Sequence, residues 1–357
     1  MRTDRSKYIF SADVIRAIAI FGVVIIHTAN SVYARLDFFG GISWFFAIFL
    51  ESLSRASIPL FIMLSGYLIL GKDESFEKSL KRILTRVLIP LVIWTVFYMW
   101  WNGGNPSIVH IDKSIFLLLF SGRVFHLYFL SIIIGLYAFS SLIRNYLYNL
   151  SVNSQKFFLW FFLIAGVVEV FLEFIFQRCT SESIFSMWIP YTGYFVAGYL
   201  IGNRKIVFSN LKTYFALGIG VFSTIGFNYL HYYLHLHGKN FLEGQTCLTY
   251  YTDYYLSVNV VLFSVAAFII LLNLNYSKIE NTKFGNFIKS VARSSFAIYL
   301  IHIAVIDILS SKYKIFDPIA PAWLYVLIKW ITIFGVSYLL SFILIKIPII
   351  KKVFGEK

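Results

Sequence analysis

Residues 10–29 read FSADVIRAIAIFGVVIIHTA, and this stretch decides the fold. A helix rises 1.5 Å per residue, so such a segment covers roughly 30 Å, the thickness of a bilayer's hydrocarbon core. Arg2, Arg5 and Lys7 precede it, but no small-residue cleavage site follows. It therefore reads as a first transmembrane helix, not a removable signal. Working outward, comparable apolar runs recur near 57–71, 84–101, 125–143, 157–176, 184–202, 212–230, 256–274, 293–310 and 322–345. The second is the least regular. The stretch 42–70 is apolar but holds Glu51, Arg55 and Pro59, which predicts an amphipathic helix leading into a shorter span.

The composition agrees. Of 357 residues, 59% are hydrophobic and 13% charged, against roughly 25% charged in soluble domains. The expected fold is an all-α polytopic membrane helix bundle of about ten transmembrane helices, forming a single domain over 1–357.

The formal charge of +14 does not point to nucleic acid, because the basic residues sit in short loops between apolar segments. With ten spans both termini share one side. That side holds 21 of the 31 Lys and Arg residues, and the other holds 7. The bias predicts cytoplasmic termini. Cys179 and Cys247 then fall outside, in the loops after the fifth and seventh spans. Two cysteines make neither a disulfide scaffold nor a metal cluster. Unpaired thiols are the simpler reading, and a disulfide stays open. The external loop 229–255 carries His231, His235 and His237 among many tyrosines. A solvated loop, lid or interfacial belt is favoured over a metal site, and no metal is expected. Neither an internal repeat nor matched broken helices are visible.

Ionisable groups inside spans are costly, which makes them functional candidates. Arg16 and His27 are eleven positions apart, about three helical turns plus 20°, so both project from one face about 16 Å apart along the axis. Asp13 lies one turn before Arg16 and is placed to hold it. A neutral imidazole in a protein-lined cavity can act as general base towards a hydroxyl. An Arg at the cytoplasmic mouth can hold a phosphate or carbonyl. Structurally, Arg16 could equally snorkel to headgroups and His27 satisfy a neighbouring helix.

The ninth expected span repeats the theme in RSSFAIYLIHIAVID, with Ser295, Tyr299 and His302 on one face. His126 lies near the external start of the fourth, three residues after Arg123. Glu169, Glu173, Asp307 and Lys329 are further intramembrane groups without an evident role. Lys81, Arg82 and Arg86 cluster where the third span begins, and Pro90 follows. Such a cluster can bind the phosphates of a nucleotide-like donor, though the positive-inside rule alone also accounts for it.

These residues carry a resemblance. ADVIRAIAIFGVVIIH resembles the opening helix of the acyltransferase-3 family of integral membrane O-acyltransferases, whose hallmark is an Arg followed eleven residues later by His. IPLFIMLSGYLIL looks like that family's Pro-Leu-Phe…Ser-Gly-Tyr segment. HLYFLSIIIGLY looks like its His-Leu-Trp-Phe-Leu segment, with Tyr128 in place of the usual Trp. SSFAIYLIH looks like its late Ser-Phe…Tyr…His segment. Each is weak alone, and the four in order from residue 12 to 302 are fairly specific.

The resemblance implies an enzyme of the bacterial cytoplasmic (inner) membrane. It would pass an acyl group, usually acetyl, from cytoplasmic acyl-CoA to a hydroxyl of a cell-surface polysaccharide or lipid-linked glycan precursor. Arg16 and His27 match the family's essential pair. Arg82 and Arg86 match the basic start of the third helix thought to meet the donor, with Lys81 beside them. His126, Ser295, Tyr299 and His302 match other recurrent polar positions. The SGNH-type esterase domain that some members fuse after the membrane part is absent from this chain, which leaves room for a separate extracytoplasmic partner. His27 as general base and His27 as transiently acylated nucleophile are both open. The rival reading is a secondary transporter or flippase for a polysaccharide intermediate.

Overall fold

The computed structural model describes residues 9–33, 38–72, 74–103, 125–176, 183–237, 254–312, 322–348 and 350–355. In chain order the α-helices are α1 (Phe10–Tyr33), α2 (Ile42–Ser54), α3 (Ser57–Ile69), α4 (Phe76–Ile83) and α5 (Ile89–Gly103). Then come α6 (Tyr128–Ala138), α7 (Ser140–Asn149), α8 (Val152–Phe176), α9 (Thr192–Gly202) and α10 (Asn210–Leu236). The last three are α11 (Val258–Asn273), α12 (Lys283–Ile306) and α13 (Ala322–Leu344). Wide π-helical turns occupy Leu84–Leu88 and Asp307–Lys312, and a short 3-10 helix, Ile350–Phe354, ends the described chain. No strand occurs among the described residues. In a membrane this follows from the backbone, since a helix satisfies its own N–H and C=O groups where no water can.

Among the described residues six helical stretches are long and apolar enough to cross a bilayer: Phe10–Val32, Ile42–Ile69, Phe76–Trp101, Val152–Phe176, Lys283–Ser310 and Trp323–Leu344. A seventh is counted if α6 and α7 form one span, bent by 47°. The chain is a multi-pass membrane protein. The stretch 42–70 is helical almost throughout, α2 and α3 being parted only at Arg55 and Ala56.

Elsewhere the expected spans meet shorter or more polar helices. The segment 184–202 is helical only as α9, because the chain reaches Thr192 through turns over 184–191 that include Pro190. α11 has 16 residues. α10 runs to Leu236, so the first residues of the expected external loop are helix. The bend between α6 and α7 has no proline. Ser140 donates its hydroxyl to the Tyr137 carbonyl at 2.7 Å, a side-chain bond that competes with the helix ladder. Phe139 at the bend stacks on Trp188.

The contacts divide the chain into two compact units. The first comprises 1–64, 170–178 and 207–343, and the second 65–169, 179–206 and 344–357. In the first, α1 packs on α2, α11 and α12. Its core includes Ala29, Val32, Trp44, Ala47, Ile48, Tyr232 and Val326. At Gly22 a Cβ would collide with the Ser57 hydroxyl, and Ser54 lies just beyond. Small residues let membrane helices approach this closely. These two contact levels fix an antiparallel register: Ala29 and Val32 meet the start of α2, and Gly22 meets its end.

In the second unit α4 and the π-turn pack on α6, and α5 packs on the C-terminal 3-10 helix. The part of α8 that belongs to this unit presents Phe157, Phe161 and Ile164 to its surroundings. Such an apolar exterior suits lipid, which competes with no core.

Candidate functional site

α1 supplies the first layer. Arg16 donates from Nη1 to Asp13 Oδ1 at 2.9 Å, the pairing that the three-residue spacing predicts. Its side chain keeps about a third of its surface exposed, 35%. Three turns further on, His27 is exposed and makes no hydrogen bond among the described residues. Thr28 beside it behaves differently, donating back to the Val24 carbonyl at 2.9 Å. Hydroxyls in apolar helices commonly satisfy themselves this way.

α12 supplies the second layer. His302 is fully buried, and its ring lies 5.2 Å from that of His27, centre to centre. Its Nδ1 is 2.8 Å from the Tyr299 carbonyl and 3.2 Å from that of Ile298. Facing two acceptors, Nδ1 carries the hydrogen in the neutral ring, which makes Nε2 the acceptor nitrogen. The Tyr299 ring is 6.1 Å from that of His302, and Tyr299 is buried. Ser295 lies a further turn away and donates to the Ala292 carbonyl at 2.8 Å.

The α2–α3 junction supplies a third layer that the sequence did not mark as part of the site. Glu51 is fully buried, and Arg55, one turn on, forms an ion pair with it through Nε. This junction meets α1 at Gly22, between one and two helical turns from His27, and the Arg55 charge acts on the His27 ring. A buried ion pair is costly to assemble and costlier to break from one side. The signal was present as a Glu and an Arg four apart in an otherwise apolar helix.

Lys329 adds another buried cation in the same unit, at 5% exposure. Its Nζ lies 3.4 Å from the Tyr325 hydroxyl, and Tyr325 packs against the core around Ala29 and Trp44.

The remaining candidates belong to the second unit. His126 sits in the 3-10 turn Phe125–Leu127, buried, with its ring perpendicular to that of Tyr98 at 4.8 Å. Arg82 is bound by Glu74 at 2.6 Å, donates to the Ser79 hydroxyl at 3.3 Å and lies 5.8 Å over the Tyr137 ring. Lys81 and Arg86 are exposed. Arg82 and Arg86, expected as twins one turn apart, therefore have different surroundings. Arg82 lies in the last regular turn of α4, whereas Arg86 lies within the wider π-turn Leu84–Leu88.

The structure thus brings His27, His302 and Tyr299 together, adds Glu51 and Arg55, and places Arg16 at the other end of α1. His231 and His237 lie on and just after α10, where His237 Nδ1 is 2.8 Å from the Tyr233 carbonyl. Among the described residues no group of three or more His, Cys, Asp or Glu is arranged to hold a metal. Cys179 and Cys247 lie outside the described residues.

Neither a curated protein nor a solved structure matches this chain. The profile of the acyltransferase-3 family, described as an acyltransferase domain, matches residues 9–345, from just before α1 to the end of α13. That match takes in α1 with its Arg16–His27 spacing and α12 with His302, and the chain belongs to the acyltransferase-3 family of membrane enzymes that transfer acyl groups.

Proposed function

We propose that this enzyme moves an acyl group, in the simplest case acetyl, from cytoplasmic acyl-CoA to a hydroxyl of a cell-surface polysaccharide or lipid-linked glycan precursor. It would do so as a single transmembrane domain in the bacterial inner membrane. The observation that carries the reading is the exposed His27 ring beside the buried, backbone-anchored ring of His302.

In this reading a His27 nitrogen takes the proton of the acceptor hydroxyl as its oxygen attacks the thioester carbonyl. The C–O bond forms, the tetrahedral oxyanion collapses, and the C–S bond breaks. The proton on His27 passes to the departing thiolate, so coenzyme A leaves as the thiol and His27 returns neutral. His302 offers Nε2 to the second His27 nitrogen. It steadies the ring and shares its positive charge, the role a third group plays behind many catalytic bases. Arg55 favours the developing oxyanion electrostatically. Tyr299 backs His302. Lys81, Arg82 and Arg86 serve the donor phosphates. Arg16, His126 and Ser295 are assigned to guiding donor and acceptor.

The test uses wild type and His27→Ala, purified in detergent, with acetyl-CoA labelled in the acetyl group. Slow release of label to water or added glycan by the wild type alone is the expected result. Equal behaviour of the two, with no coenzyme A bound by either, overturns the donor assignment and the role of His27.

A further inference from the structure

The basic cluster that begins the third span is less uniform than its sequence. Arg82 is folded onto Glu74 and Ser79, so much of its charge is already met. Arg86 is exposed and meets no carboxylate among the described residues. What does approach the Arg86 turn is the C-terminal tail.

That docking is built, not incidental. Phe354 is buried, with its ring 5.5 Å from that of Trp94 on α5. The Trp94 indole N–H donates to the Val353 carbonyl at 3.3 Å. Gly355 then takes a left-handed conformation, φ 66°, with its backbone against the Arg86 carbonyl. A Cβ at that position would strike the carbonyl oxygen, and the conformation itself disfavours any other residue. The Gly355 N–H closes the turn on the Lys352 carbonyl at 3.1 Å. The clip therefore holds Lys351 and Lys352 in the final 3-10 turn, immediately before the residues that touch Trp94 and Arg86. Lys352 is exposed and Lys351 partly so. An excess of positive charge on one side of a membrane needs no such fixing. Loose lysines would satisfy it.

We propose that the docked tail is part of the donor site, with Lys351 and Lys352 joining Arg86 in a composite cationic surface for phosphate esters. This rests on the acyl-CoA reading above, and the ligand groups would be the diphosphate and 3′-phosphate of coenzyme A. Several cations spread over two chain segments suit a ligand whose phosphates are themselves separated. Anionic lipid headgroups offer the same chemistry at a membrane surface, so the test must tell the two sources apart.

The test measures coenzyme A binding to the full-length protein in a neutral detergent, for wild type, Arg86→Ala, Lys351→Ala/Lys352→Ala and Gly355→Ala. Lys352 is exposed and Lys351 partly so, so their removal should leave the fold alone, and an unchanged melting curve checks this. Binding about tenfold weaker in the lysine variant is expected, the scale of a partly exposed charge-assisted contact. Gly355→Ala keeps both lysines but unseats them, and should lose a similar factor. Tail variants that bind coenzyme A like wild type while Arg86→Ala weakens would overturn the tail's role and leave the donor reading standing. Failure of the wild type itself to bind coenzyme A would bring down that reading and this one together. A third arm adds phosphatidylglycerol vesicles. Variants that lose vesicle binding yet keep coenzyme A would make the lysines lipid anchors and overturn the proposal.

Discussion

His27 and His302 are the same side chain, on two helices that touch, with rings 5.2 Å apart. They are nonetheless held in opposite ways. His302 is fully buried, with Nδ1 facing two carbonyls of its own helix. His27 is exposed and has no such anchor among the described residues. Under the proposed mechanism the contrast is a division of labour. A ring that must meet substrate needs an approach, and a ring that must orient another needs a fixed tautomer. The structure gives each histidine one of these properties.

The sharpest way to break this comparison is to remove each ring in turn. His27→Ala should lower acyl transfer by about a thousandfold, within the usual range for a general base. Its melting temperature should hardly move, because an exposed ring is lost. Label release measured beside thermal melting checks both halves, and a variant that melts early but transfers normally would reverse the two roles.

Arg55 comes next. Arg55→Ala takes the cationic partner away from a fully buried carboxylate, that of Glu51, which should cost about 3 kcal/mol of stability. Replacing both, as Glu51→Leu with Arg55→Met, should restore most of the melting temperature. Transfer should stay low in the double variant if Arg55 also serves the chemistry. Recovery of both together would make the pair purely structural.

His302→Gln should lower transfer about thirtyfold, a smaller loss than that of His27, as for a group acting through another. The loss alone would not separate positioning from packing. The pH–rate profile does so: its acid limb, set by the base, should move in His302→Gln and stay put in a variant with only a packing defect.

The smallest effect concerns where α1 begins. Tyr276 lies in the turn after α11, donates to the Leu271 carbonyl at 2.7 Å and meets Phe10 edge to face at 5.6 Å. Burial pushes its phenol up from 10.0 to about 12. The protonated form is thus favoured by folding, and its contribution is complete below pH 10. As pH rises from 10 to 12 the unfolded chain ionises first and that contribution is lost. Tyr276→Phe should cost about 1 kcal/mol at neutral pH and flatten the alkaline fall in stability, read from melting curves at pH 8 to 11.5.

Much of this was legible in the sequence because it depends on local spacing. The Asp13–Arg16 pair follows from three-residue separation, and six of the ten expected spans, or seven with the bent α6–α7 pair, follow from apolar length. His27 and His302 stood out as costly polar groups, though only the packing of α1 on α12 joins them. What escaped reading depends on tertiary contact or on backbone detail. Glu51 and Arg55 acquire meaning from the antiparallel register of α2 against α1, which Gly22 helps to set. The different surroundings of Arg82 and Arg86 come from a π-turn and from Glu74, neither of which composition announces. α10 continues to Leu236 because its aromatic, polar end still packs, Tyr232 being buried against Trp44. The tail's clip joins residues 259 apart in sequence.

The unequal exposure of the two imidazoles also bears on reagents. An acylating electrophile such as diethyl pyrocarbonate needs a nitrogen lone pair it can reach, and of this pair only His27 has exposed surface. Covalent inactivators would therefore titrate a single imidazole there. The His302 lone pair, on Nε2, lies in a ring with no exposed surface, so His302 would survive unmodified as an internal control for selectivity.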